Sequence, residues 1–248
     1  MRARAASPTD RPAFYALAPG GWRDLVTLLH PPYTAWHLSY VAIGAAVAPT
    51  LHATRLAWAL AAFLLAVGVA AHALDELHDR PLRTRLRDRT LILLAVVALA
   101  GAAAIGAYGA ATVSLSLVPF TAAGVFLVLA YDLEWFGGRL HNDFWFALAW
   151  GAFPAATGFW VNALSVRLAG VAAVAACFAL SVAQRRLSTA VRELRRRTVA
   201  LNGEQRLRDG RVVPLDAARI AAPLDAALGA CAAGVTLLAV ALVALRLR

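Results

Sequence analysis

From Thr90 to Tyr131 the chain runs 42 residues without one charged side chain. About 20 apolar residues are enough to cross the hydrocarbon core of a bilayer. A stretch twice that long must turn back on itself, most simply near Tyr108–Thr112. In lipid every backbone polar group has to be satisfied within its own segment, so both halves are expected as helices. The rest of the chain supports a membrane setting: 61% of its 248 residues are hydrophobic and only 15% are charged. A soluble domain carries about 45–50% and about 25% respectively. The composition excludes a disordered basic tail. A soluble nucleic-acid binder is excluded too, because the basic residues punctuate apolar runs. Cys177 and Cys231 lie in such runs without ligand spacing and read as small core residues. No signal peptide is visible in the first 30 residues.

The apolar runs give seven candidate spans, at about 33–51, 55–77, 90–109, 111–131, 143–163, 167–188 and 219–245. The fold expected is an all-α polytopic bundle. Residues 1–30 form a leading segment, and residues 31–248 form one transmembrane domain. All 24 basic residues are Arg. With seven spans, 20 of them fall on one side, in the leading segment and in the loops at 78–89, 132–142 and 185–219. Arg55, Arg167, Arg246 and Arg248 fall on the other. The positive-inside rule makes the rich side cytoplasmic, with the N-terminus inside and the C-terminus outside. The location expected is a bacterial plasma membrane.

Chemistry concentrates on that rich side. His72, Asp75, Glu76 and Asp79 are spaced i, i+3, i+4, i+7 and share one face if the helix persists. Such acids at a membrane boundary call for a cation: Mg²⁺, a substrate cation, or Arg83 and Arg85. Tyr131 and Asp132 end the fourth span, and Gly137-Gly138 marks a turn beyond them. Arg185, Ser188 and Arg192 share a helix face and read either as a positive collar or as a phosphate-binding wall. Asp225 reads as an N-terminal helix charge or as a contributor to a polar centre. Acids and Arg from several span ends on one side suit a diphosphate, with an apolar bundle below for a hydrocarbon tail.

These residues resemble the UbiA superfamily of intramembrane prenyltransferases over roughly residues 30–200. The family's first acidic motif reads Asn-Asp-x-x-Asp-x-x-x-Asp. The chain has Ala71-His72-Ala-Leu-Asp75-Glu-Leu-His-Asp79 there, then Arg83-Thr84-Arg85 like the family's basic segment. The stretch from Tyr131 to Trp160, with Leu148-Ala-Trp-Gly-Ala-Phe-Pro154 inside it, is similar to the family's fourth-to-fifth helix region. The second motif, Asp-x-x-x-Asp, would fall near 181–192, where this chain has no Asp. The family usually has about nine helices, two more than counted here. The resemblance implies Mg²⁺-dependent transfer of a prenyl group from a prenyl diphosphate to an acceptor. Asp75 and Asp79 would hold the metal. Arg83, Arg85, Arg185 and Ser188 would bind the diphosphate, Tyr131 would line the cleft, and His72 or Glu76 would take the acceptor's proton. The alternative is a non-catalytic protein of the same fold that binds or exports a lipid or biosynthetic intermediate. A metalloenzyme built on His72, Asp75, Glu76 and His78 is a third reading. The partners expected are a prenyl diphosphate or other lipid and the membrane, with no nucleic acid; nothing in the sequence speaks to the oligomeric state.

Overall fold

The computed structural model describes residues 11–247. Arg2, Arg4 and Arg248 of the charge pattern therefore lie outside the described residues. Eight helices run α1 (Trp22–Leu28), α2 (Pro31–Ala46), α3 (Ala53–Leu77), α4 (Asp88–Thr112), α5 (Leu115–Asp132), α6 (Asp143–Ala163), α7 (Leu168–Arg197) and α8 (Ala217–Arg246). Between α7 and α8 a short antiparallel hairpin pairs β1 (Gly203–Arg206) with β2 (Val212–Leu215). It lies in the long polar segment between α7 and α8, with Asp209-Gly210 at its turn.

Six helices, α3 to α8, are long and apolar enough to cross a membrane. The charge-free stretch does fold back, with α4 ending at Thr112 and α5 beginning at Leu115. The helix at the first expected span, 33–51, is shorter than expected: α2 has only 16 residues, about 24 Å at 1.5 Å per residue. It is nevertheless the centre of the bundle. At its start, the His30 ring stacks on His72 at the end of α3. Beyond its other end, the carbonyls of Ala48 and Pro49 accept hydrogen bonds from Arg246 at the end of α8. So α2 passes from one end of the bundle to the other, sheathed by longer helices.

Glycine makes that sheathing possible. A Cβ on Gly44 of α2 would sit 2.0 Å from the Ala155 carbonyl oxygen of α6, and one on Gly158 of α6 would sit 2.1 Å from that of Val41. Small residues at both positions let the two backbones touch, and membrane helices gain packing that way. Cys177 is buried as expected, but Cys231 is exposed on the outer face of α8.

Charge divides the two ends of the bundle. Every acidic side chain among the described residues lies at or just inside the end where α2 begins. Among the described residues only Arg55, Arg167 and Arg246 mark the opposite end. Overpacking a tight contact costs about 1–3 kcal/mol. Gly44→Ala and Gly158→Ala should therefore each lower the thermal midpoint of the purified protein. Gly234→Ala, where the added methyl meets nothing within 4 Å, should leave the midpoint unchanged.

Candidate functional site

A cavity of about 120 Å³ opens at the charged end and goes down between α2, α3, α5, α6 and α7. His72, Asp75, Tyr131, Arg185 and Ser188 all line it, as do Asp132, Arg192 and Asp225. A second cavity of about 220 Å³ lies deeper and is almost wholly apolar, with Phe63, Leu99, Phe120 and Val128 in its walls. Val67 and Trp150 line both. The polar cavity thus adjoins the apolar one at these two side chains.

Four of the expected residues stand elsewhere. The helical face drawn through Asp79 ends early, because α3 stops at Leu77 and both Asp79 and Arg80 are left-handed, at φ 65° and 50°. Pro81 follows, and a residue before proline is disfavoured in the α region. Asp79 is therefore exposed outside the cavity, and so are Arg83 and Arg85. Glu76 is fully buried but turned away: its two carboxylate oxygens accept from Leu82 N–H, Thr84 N–H and the Thr84 hydroxyl. It ties down the loop after α3. Asp24 of α1 does similar work, accepting from Gly20 N–H and Arg85 N–H. The metalloenzyme set fails on the same facts, since Glu76 is occupied and His78 is exposed.

The cationic wall comes from one helix. Gln184, Arg185, Ser188, Val191 and Arg192 follow helical spacing along α7, and Arg196 extends the row. Arg185 is oriented by Asp143, at 3.1 Å, and by the ring of Phe146, 5.1 Å from its guanidinium carbon. Arg192 donates to the Ser188 carbonyl and the Thr189 hydroxyl, and Arg196 to the Pro12 carbonyl. None of the ion pairs among the described residues involves either of these two, so both keep their charge available. Asp225 is a contributor to the polar centre: it pairs with Arg195, both nearly buried, and reaches the cavity wall.

Wide π-type turns sit beside this cavity, at Leu64–Ala71 in α3, Leu148–Ala152 in α6 and Glu193–Arg197 in α7. Such turns shift the carbonyl ladder and often mark functional sites. Here imidazoles bind the shifted carbonyls. His72 Nδ1–H donates to Gly68 O at 3.2 Å, and His37 Nδ1–H donates to Trp150 O at 2.7 Å. In a neutral imidazole this leaves the Nε2 lone pair free, and both rings line the cavity. His141 stacks on Tyr131 at 4.3 Å and donates to the Tyr131 carbonyl.

Residues 11–30 also belong to the site. Pro12 to Tyr15 roof the cavity, and the Tyr15 hydroxyl meets His30 Nδ1 at 2.9 Å. The His30 and His72 rings stack almost parallel, 4.0 Å apart and 8° from coplanar. Parallel rings aim their in-plane nitrogens along parallel lines, so the two cannot converge on one ion. Burial pushes the His30 imidazole well below its usual pKa, and the His72, Arg196 and Arg192 charges act the same way. His30, Tyr15 and His141 were not singled out in the sequence, since distant segments bring them here; Arg196, one turn beyond Arg192, continues the same face of α7.

Among the described residues no group of three or more His, Cys, Asp or Glu forms a metal site by itself. Mg²⁺ needs less, binding through one or two carboxylates plus phosphate oxygens. Asp75 and Asp132 line the same cavity, and Asp132 Oδ2 has no hydrogen-bond partner. This pair suits Mg²⁺ held jointly with a phosphate; Asp79 has no part in it. Comparisons with family models, curated proteins and solved structures give no match.

Two stability tests follow from this arrangement. Glu76→Ala strands three buried donors, at about 1–3 kcal/mol each, and should lower the thermal midpoint sharply. Asp75→Ala, which faces the cavity, should lower it much less. Because His30 is held neutral in the fold, the unfolded chain binds its proton more readily below about pH 6.5. His30 therefore costs no stability above that pH and an increasing amount as pH falls. A pH series of thermal midpoints should decline below about 6.5, and the decline should be shallower in His30→Gln.

Proposed function

We propose that the protein is an intramembrane prenyltransferase-like enzyme that takes a prenyl diphosphate from the membrane and transfers its prenyl group to an acceptor. The observation that carries this reading is the meeting of a polar, arginine-walled cavity with an apolar one at Val67 and Trp150. That shape matches an anionic head joined to a hydrocarbon tail. By the positive-inside rule the head group lies at the cytoplasmic side.

The roles follow from the chemistry of each group. Arg185, Arg192 and Arg196 bind the diphosphate with charge-assisted hydrogen bonds and stabilise its departure. Asp75 and Asp132 are the residues that would hold Mg²⁺, which neutralises part of the leaving group's charge when bound. Tyr131 lines the cleft, close to Trp150 with ring centroids 5.7 Å apart; the electron-rich ring faces suit a developing allylic cation. His72 Nε2 is the proton acceptor for the incoming nucleophile, its ring fixed by the bond to Gly68 O.

A carrier for the same class of lipid is the second reading, favoured by the exposure of Asp79 and by the weight of arginine over acid on α7. Diphosphate release separates the two. Purified protein in nanodiscs, given farnesyl diphosphate, Mg²⁺ and a hydroxyl acceptor, should release diphosphate. Asp75→Asn and Arg192→Gln should each slow release by about 10²-fold or more, the scale for losing one charge-stabilising group. Asp79→Asn should leave it unchanged. Binding without release by the wild-type protein would leave the carrier reading in place.

A further inference from the structure

Three side chains at the cavity wall are more than nine-tenths buried and carry a polar atom with no hydrogen-bond partner among the described residues: His30 Nε2, Tyr131 hydroxyl and Gln184 Oε1. Asp225 Oδ1 and Asp132 Oδ2 are also unpartnered and buried. Each such atom costs about 1–3 kcal/mol when left unmet. Native proteins keep few of them, and several around one cavity point to a ligand that meets them.

The hydrogen-bonding sense of these atoms limits the ligand. Gln184 Oε1 and the two carboxylate oxygens only accept, and so does His72 Nε2 once Nδ1–H is committed to Gly68 O. A diphosphate brings acceptors and satisfies the arginines, but it leaves these four unmet. Mg²⁺ would meet Asp132 alone. We infer that the cavity has a second subsite, built on Gln184, Asp225 and His72, for a neutral hydroxyl-bearing co-substrate with at least two O–H groups. Ammonium groups are disfavoured there, because Asp225 is already paired with Arg195 and three further arginines line the same space.

This rests on the prenyl-transfer reading and names its acceptor class. In the transfer, the C–O bond of the prenyl diphosphate breaks and diphosphate leaves with the electron pair. A hydroxyl oxygen of the co-substrate forms the new C–O bond, and its proton passes to His72 Nε2. Gln184 and Asp225 hold the ligand by its hydroxyl hydrogens; they are positioning residues.

Saturation-transfer NMR on the protein in nanodiscs tests this, with glycerol as the polyol probe and 1,2-dimethoxyethane as a probe of similar size without donors. Glycerol should receive saturation, and dimethoxyethane should receive little. Pyrophosphate should not displace glycerol. In Gln184→Met the glycerol signal should fall by about fivefold or more. The ligand-free thermal midpoint should meanwhile rise by about 2 °C, because an unmet buried acceptor has gone. Equal transfer to both probes, displacement by pyrophosphate, or a glycerol signal or midpoint that fails to shift as stated in Gln184→Met overturns the subsite. Pyrophosphate binding without any glycerol signal overturns this inference alone. Failure to bind pyrophosphate as well overturns the prenyl-diphosphate reading beneath it.

Discussion

Polar and charged groups inside a membrane-spanning bundle are expensive unless something meets them, and that constraint orders this structure. Most of the chain obeys it by avoidance. The spans are Ala- and Leu-rich, their backbones are self-satisfied, and the arginines stay at the ends. One region does not. Between α2, α3, α5, α6 and α7 the chain gathers Asp75, Asp132, His30, His72, Tyr131, Gln184 and Arg192 around a cavity. The rest of the fold keeps that concentration in place.

Three devices do so. Glycine at Gly44 and Gly158 brings α2 and α6 into backbone contact, so the short central helix can carry His30 and His37 to the cavity. Wide turns in α3, α6 and α7 displace carbonyls beside it, and His72 and His37 bind two of them. Buried carboxylates outside the cavity, Glu76 and Asp24, fix the loop after α3 and the segment before α2. That segment in turn roofs the cavity, held by Arg195 and Arg196 through the carbonyls of Arg11 and Pro12.

The spans were legible because their signal is local: an apolar run of sufficient length reads the same in any context. Arg185, Ser188 and Arg192 were legible for a similar reason, since helical spacing alone puts them on one face of α7. Asp79 misled because the face drawn through it assumed a helix that Pro81 forbids, and that proline was present to be weighed. Glu76 misled differently. Its partners, Leu82 and Thr84, lie in a loop whose path no periodicity reveals. His30 was invisible because its significance lies in His72, 42 positions away, and the seating of α2 alone brings them together.

The proposal that the two cavities serve as one site for an amphiphilic anion is tested by equilibrium binding of farnesyl diphosphate, pyrophosphate and farnesol to the protein in nanodiscs. Farnesyl diphosphate should bind far more tightly than either fragment. Val67→Trp, which fills the junction beside Trp150, should reduce that affinity to the level of pyrophosphate. Farnesyl diphosphate binding no tighter than pyrophosphate, or unaffected by Val67→Trp, overturns it.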